Sequence, residues 1–273
     1  MLQKALVPLS FRESTDQVSG MCEFLQMLGT REAVLLHIGS DRGRAGAHNR
    51  RRLEEYAEHI EELGFRTEKL VRRGSVQQQI ILASAELGAD YISIVFRKKS
   101  WIARAILGSN VKDVIRLSDS PVFVYKNPRR RQRADRVFRV LYATSLQGRD
   151  DSLLTYIRNE DFQADEITFL YAGRRAPDPV VEKQRQDKAE RDLKVLEERC
   201  GLGQHSLKHL SVLGSPRRQI LKTARGLPAD LVLLGKADAS ASREPVLGST
   251  AEEVSYNAPC SVLIIPKNGG AAQ

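Results

Sequence analysis

Ala229-Asp230-Leu231-Val232-Leu233-Leu234-Gly235 opens the decisive stretch of this chain. After a loop come Leu247-Gly248-Ser249-Thr250-Ala251-Glu252-Glu253-Val254, and Ala258-Pro259-Cys260-Ser261-Val262-Leu263-Ile264-Ile265-Pro266 closes it. Short continuous apolar runs bounded by turn residues read as buried strands, and a glycine-serine pair before a mixed segment reads as a helix start. The same series stands 140 residues earlier: Ala89-Asp90-Tyr91, then Leu107-Gly108-Ser109, then Ser120-Pro121-Val122-Phe123-Val124. Gly74-Ser75 and Gln79-Ile80 match Gly214-Ser215 and Gln219-Ile220 at that offset, and Val114 matches Val254. Nearer the start, Leu6-Val7-Pro8-Leu9-Ser10 aligns with Leu141-Tyr142-Ala143-Thr144-Ser145 at an offset of 135. The second half therefore repeats the first, and the slip of five residues falls where loops and helices vary in length.

Working outward, each copy alternates strand and helix. In the first, Ala5–Ser10 reads as a strand and Ser14 with Gln17 as a capping box. Ala33–His37 is the second strand. Leu53, Tyr56, Ala57, Ile60 and Leu63 then mark one face of a helix that stops at Gly64. Strands follow at Arg66–Val71, Tyr91–Phe96 and Pro121–Tyr125, with helices from Ser75 and over Ser109–Leu117. The second copy gives strands at Val137–Thr144, Glu166–Leu170, Ser206–Leu213, Leu231–Leu234 and Ser261–Ile265, and a long charged helix over Pro179–Cys200. Strands separated by helices imply parallel pairing through right-handed crossovers. The fold class is α/β, with two tandem, doubly wound, open, parallel five-stranded sheets. Each copy ends on an apolar strand, and pairing such edges within one chain, as an internal pseudo-dimer, would remove an association hazard.

The residues that close each copy resemble the C-terminal half of a universal stress protein domain, and the resemblance spans both copies, as in the tandem E-type members. It implies an adenine-nucleotide alpha-hydrolase-like fold and the same pseudo-dimer. Nucleotide-binding members carry G-x2-G-x9-G-[ST], in which glycines let backbone N–H groups approach phosphate at a helix start. In the second copy Gly235, Gly248 and Ser249 keep their places, with Thr250 following, while Asp238 replaces the middle glycine. In the first copy Val95 and Lys98 stand where glycines are expected, leaving Gly108 and Ser109. The aspartate that such members place after the first strand is Ser10 in one copy and Ser145 in the other. The resemblance thus implies ATP or another adenine nucleotide, if any, in the second copy, with Gly235, Gly248, Ser249 and Thr250 as its phosphate-facing residues and Gly108 and Ser109 as a degenerate counterpart.

Other motifs carry less. His37-Ile38-Gly39-Ser40 reads as a strand end and turn. His205 and His209 read as an exposed pair with no acidic or cysteine partner nearby, and no metal site is expected. Asp90 and Asp230 read as turn residues before their strands, and Cys260 as a small core side chain. Trp101, among Arg97, Lys98, Lys99 and Arg104, reads as cover for a hydrophobic neighbour. No nucleophile elbow or Cys/His constellation is present in the sequence, so no catalytic residue is assigned.

The bulk numbers agree. Hydrophobic residues make up 41% of 273, enough for two cores, and no apolar run reaches the roughly 20 residues of a membrane span. Cys22, Cys200 and Cys260 are scattered, as in a reducing compartment, and no leader segment is recognised. The net charge of +9 is concentrated between Lys126 and Arg139, where seven basic residues face one acid for a net of +6. Within it, 127–136 reads as a basic linker between domains 1–126 and 137–267, and 268–273 as a disordered tail. The sequence therefore reads as a cytoplasmic stress-response binding and regulatory protein without catalytic activity. A nucleotide sensor or slow ATPase using domain 2, and a nucleic-acid binder using the linker, are the alternatives. A solvated hinge is favoured over the latter. A protein partner is expected, a homodimer is left open, and membrane insertion is not expected.

Overall fold

A computed structural model of the chain describes residues 1–96, 109–126, 137–146, 150–201, 206–236 and 249–266. The basic linker, the tail and Trp101 lie outside them. The chain divides into two compact units, Met1–Asn127 and Pro128–Gln273.

In the first unit the elements run β1 (Lys4–Pro8), α1 (Thr15–Met27), β2 (Glu32–Ile38), α2 (Gly43–Glu62), β3 (Arg66–Arg72), α3 (Val76–Glu86), β4 (Tyr91–Val95), α4 (Ser109–Leu117) and β5 (Val122–Tyr125). The strands lie in the order β3-β2-β1-β4-β5, all parallel. In the second unit they run β6 (Arg139–Thr144), α5 (Asp150–Ile157), β7 (Glu166–Gly173), α6 (Pro179–Cys200), β8 (Ser206–Leu213), α7 (Pro216–Gly226), β9 (Leu231–Gly235), α8 (Ser249–Asn257) and β10 (Ser261–Ile265). Here β8-β7-β6-β9-β10 repeats the order of the first unit. The chain winds outward from the first strand of each unit, returns to its other side and winds outward again. Right-handed crossovers then put the two helix pairs on opposite faces. The reversal, between β1 and β4 and between β6 and β9, is where such sheets open a crevice at the carboxyl ends of their strands.

Local chemistry explains why these stretches form these elements. Ser14 caps α1: the Gln17 N–H donates to Ser14 Oγ at 3.3 Å, and the Ser14 N–H donates back to Gln17 Oε1 at 3.0 Å. Asp178 caps α6 by accepting from the Val180 N–H at 2.7 Å, with Pro179 ready in the first turn. The repeated Gly-Ser pair has a physical reason as well. Gly74 and Gly214 turn β3 into α3 and β8 into α7 at φ +124° and +138°. A Cβ there would stand 3.3 Å and 2.6 Å from the side-chain nitrogens of Gln79 and Gln219. Glycine and glutamine recur together because the glutamine folds back over the turn, where Gln219 Nε2 donates to the Leu213 carbonyl at 2.8 Å.

The cores follow the apolar runs. β4, β5 and β10 are buried along their whole lengths, as strands covered on both faces must be. Each large side chain withdrawn there contributes about 1.5–3 kcal/mol. β3 and β8, outermost in their units, are only partly covered and correspondingly polar. Most strand ends fall within two residues of the sequence reading, and two boundaries differ by more. β7 runs past Leu170 to Gly173 because Tyr171, Ala172 and Gly173 keep their places beside Ser211, Val212 and Leu213 of β8. α2 begins at Gly43, ten residues before its apolar stripe, because its first half is exposed and has no apolar period to read.

Candidate functional site

The crevice of each unit begins where its first strand ends. In the first unit Ser10 Oγ donates to Glu13 Oε1 at 2.7 Å and the Ser10 N–H donates to Glu13 Oε2 at 3.1 Å, so this serine is engaged within its own loop. The next residue, Phe11, has φ +62°, and its counterpart Leu146, after Ser145, has φ +56°. A left-handed conformation costs a side-chain-bearing residue about 1–2 kcal/mol, and both copies keep it. It throws the side chain back over the strand ends.

What that side chain meets differs. Phe11 lies flat on the ring of His37 near the end of β2, with centroids 3.9 Å apart and planes 14° apart, and Tyr56 of α2 stands 6.0 Å away. The Arg52 guanidinium lies 5.9 Å from the Phe11 centroid and 5.5 Å from that of Tyr56. His37 is held through Nδ1 to the Leu9 carbonyl at 2.9 Å, and the Tyr56 hydroxyl donates to the Glu13 carbonyl at 2.7 Å. Gly39 makes room for this, since a Cβ would come within 2.6 Å of His37 Nε2. The first unit fills this part of its crevice with its own aromatic rings.

In the second unit the same place is a cavity of about 270 Å³. Its floor is Ser145 and Leu146 after β6, Tyr171 and Gly173 at the end of β7, and the Ser211–Leu213 end of β8, with one side of α6 as its wall. Tyr171 stands where His37 does, one residue past the leucine that pairs with the first strand (Leu36 with Pro8, Leu170 with Ala143). Gly173 repeats Gly39, with the Tyr171 ring 3.0 Å from where a Cβ would be.

Of the residues singled out from sequence, Gly235 ends β9 and is exposed. Among the described residues a Cβ there would meet Leu153 Cδ1, at an ordinary 3.6 Å. The Lys236 N–H is already bonded to the Ile265 carbonyl at 2.7 Å. Ser109 opens α4 and Ser249 opens α8, with Thr250 half-buried behind it. Gly108, Gly248 and the substituted Lys98 and Asp238 lie outside the described residues. Ser145 lines the cavity, and Gly235 and Thr250 are not among the described residues that do. Sequence reasoning missed Tyr171, Arg174, Arg185 and Gln186. The one available signal was the alignment of Gly39 with Gly173, which marks the end of the second strand in both copies.

The sequence model of the universal stress protein family matches residues 1–126 and again residues 142–266. This chain belongs to the universal stress protein family. A universal stress protein of Methanocaldococcus jannaschii is 23% identical over 155 residues, covering 46% of this chain and 96% of that one. Among solved structures, a universal stress protein from Archaeoglobus fulgidus superposes with a TM-score of 0.74 at 22% identity, covering 98% of this chain and 99% of its own. A putative universal stress protein from Pseudomonas aeruginosa gives 0.72 at 18% identity, covering 98% and 94%. Those two likenesses establish the fold, two tandem copies of it, and the family model establishes the membership.

Within this tandem universal stress protein two expectations need correction. Asp90 and Asp230 are more than turn residues: each carboxylate clasps the start of the unit's first strand. Asp90 Oδ2 accepts from the Gln3 and Lys4 N–H groups at 2.8 and 3.0 Å, and Asp230 Oδ2 accepts from the Arg139 N–H at 2.9 Å. His209 does have acidic neighbours, because β8 packs on α6. Its Nδ1 is paired with Glu197 and its Nε2 lies 3.4 Å from Glu190 Oε2. The two carboxylates sit at opposite ring nitrogens and cannot share one ion, and among the described residues no cluster of three ligating side chains converges. His205 lies outside them. His37 to Ser40 is a strand end and turn, as read. All three cysteines are free and buried, and burial pushes the Cys22 thiol up to about 12 and the Cys200 thiol to about 11. Among the described residues no helix is long and apolar enough to cross a membrane.

Proposed function

We propose that this universal stress protein is a cytoplasmic binding and regulatory module, not a catalyst, and that it takes one adenine nucleotide per chain, in the second unit. The observation that carries this reading is the contrast at the strand ends: a cavity beside Tyr171 in one copy, and the Phe11–His37 stack in the same place in the other. Ligands of open α/β sheets bind outside the carboxyl ends of the strands, and the cavity lies at the ends of β6, β7 and β8 with an aromatic ring beside it. Among the described residues no group of metal-ligating side chains converges, which favours binding over metal-assisted turnover. The loss of loop glycines, with Asp238 where backbone should approach phosphate, favours weak affinity for a triphosphate.

Calorimetric titration of the full chain with ATP and with AMP tests the reading. One equivalent is expected, weakened about tenfold or more by Tyr171→Ala and unchanged by His37→Ala, with no nucleotide hydrolysed over hours. Asp238→Gly is expected to strengthen ATP binding a few-fold, by removing a negative charge from a loop that only the outer phosphates of a triphosphate would approach. Two equivalents per chain, loss of binding with His37→Ala alone, or steady release of phosphate from ATP would overturn it.

A further inference from the structure

The cavity in the second unit carries a charge pattern that says more about its ligand. Glu182, Arg185, Gln186 and Ala189 of α6 lie at i, i+3, i+4 and i+7, so a single helix face is turned to it. Its acids are already engaged. Glu182 accepts from the Ala176 N–H and, at 3.0 Å, from Gln186 Nε2, while Asp192 is paired with Lys188 of its own helix. Arg174 and Arg185 also line the cavity, are exposed, and form no hydrogen bond or ion pair among the described residues. Leu146, Tyr171 and Val212 supply apolar and aromatic surface to the same space.

A guanidinium stays protonated at any working pH and meets a phosphate through two parallel N–H donors. Two of them beside an aromatic wall fit a ligand that is planar and apolar at one end and anionic at the other. The volume of about 270 Å³ lies just below the roughly 300–1,000 Å³ usual for drug-sized ligands, which suits one phosphate better than three. The loop after Gly235, the other place for a phosphate, carries Asp238.

We infer that the cavity takes a nucleoside monophosphate-class ligand, with its single phosphate held by Arg174 and Arg185 of the β7–α6 side and not by the loop after β9. This rests on the reading that the ligand sits in the second unit, and it names the chemistry of that ligand.

Calorimetry on the full chain with AMP, adenosine and ATP, each against wild type and the Arg174→Gln/Arg185→Gln double variant, separates the two claims. Both arginines are exposed, so the double variant is expected to keep its fold, which circular dichroism and its thermal midpoint check. AMP is expected to bind wild type at least tenfold tighter than adenosine, and the double variant to lose that advantage while binding adenosine as before. AMP and adenosine binding alike in both proteins would overturn the phosphate assignment and leave the site standing. ATP binding tighter than AMP, with neither weakened by the double variant, would place the phosphates at the loop and overturn it too. If neither AMP nor adenosine binds, both readings fall.

Discussion

The two units share one backbone plan and use its crevice oppositely. After the first strand both units enter the left-handed region at the same step, Phe11 at φ +62° and Leu146 at +56°. In the first unit the aromatic side chain so delivered lies on His37, and in the second a leucine borders a cavity next to Tyr171. The difference teaches that a repeated backbone feature fixes where a site would be, while the identity of one or two side chains decides whether anything else fits there. At this place the first copy sets its own rings together and the second borders a cavity.

Three measurements would break or sharpen that comparison. The largest effect is expected at the strand clasps. Asp230 is 2% exposed whereas Asp90 is half-buried, so loss of the carboxylate orphans backbone donors in a drier place in the second unit. Asp230→Ala should lower the free energy of unfolding by about 2–3 kcal/mol and Asp90→Ala by about 1–2 kcal/mol, read from urea titrations. Equal losses would mean that the two clasps are equivalent despite their burial.

Next in size is the left-handed step itself. Glycine relieves the backbone at both positions, but only Phe11 also loses an aromatic stack and the guanidinium above it. Phe11→Gly should destabilise by about 1–2 kcal/mol, while Leu146→Gly should remain within about 0.5 kcal/mol of wild type. A Phe11→Gly protein as stable as wild type would show that the stack on His37 contributes little.

The smallest effect concerns the thiols. Cys22 and Cys200 ionise at about 12 and about 11 in the folded chain, against 9.0 for a free thiol. The unfolded chain therefore releases these protons first as pH rises. The contribution to stability is full below about pH 9 and is lost progressively towards pH 11 and 12. Alkylation at pH 8 should be slow at both sites and slower at Cys22, because the thiolate is the nucleophile. Mass-spectrometric counting of modified residues over time checks this, and rapid labelling of Cys22 in the folded chain would contradict it.

Much of the molecule was legible because it depends on neighbours in sequence. The capping box at Ser14, the ends of Ser206–Leu213 and Pro179–Cys200, and the pairing of glycine with glutamine at both strand-to-helix turns all rest on residues a few positions apart. The start of α2 was not legible, since its exposed half carries no apolar rhythm, and neither was the last part of β7, which a partner strand extends. The clasping role of Asp90 and Asp230 escaped for a related reason: the N–H groups they hold lie more than eighty residues away along the chain.

What the sequence by itself determined is the tandem repeat, the alternation of strand and helix, the family and the erosion of the glycine pattern, because each is a matter of residue type at fixed spacing. Only the tertiary structure decided which crevice is filled and which residues border the open one. Phe11 meets His37 and Tyr56 across 26 and 45 positions, and Ser145 borders one cavity with Tyr171, Arg185 and Val212 only because β6, β7, β8 and one side of α6 come together there. A crevice is a property of strand ends that the crossovers bring together, and spacing along the chain does not encode what stands across it.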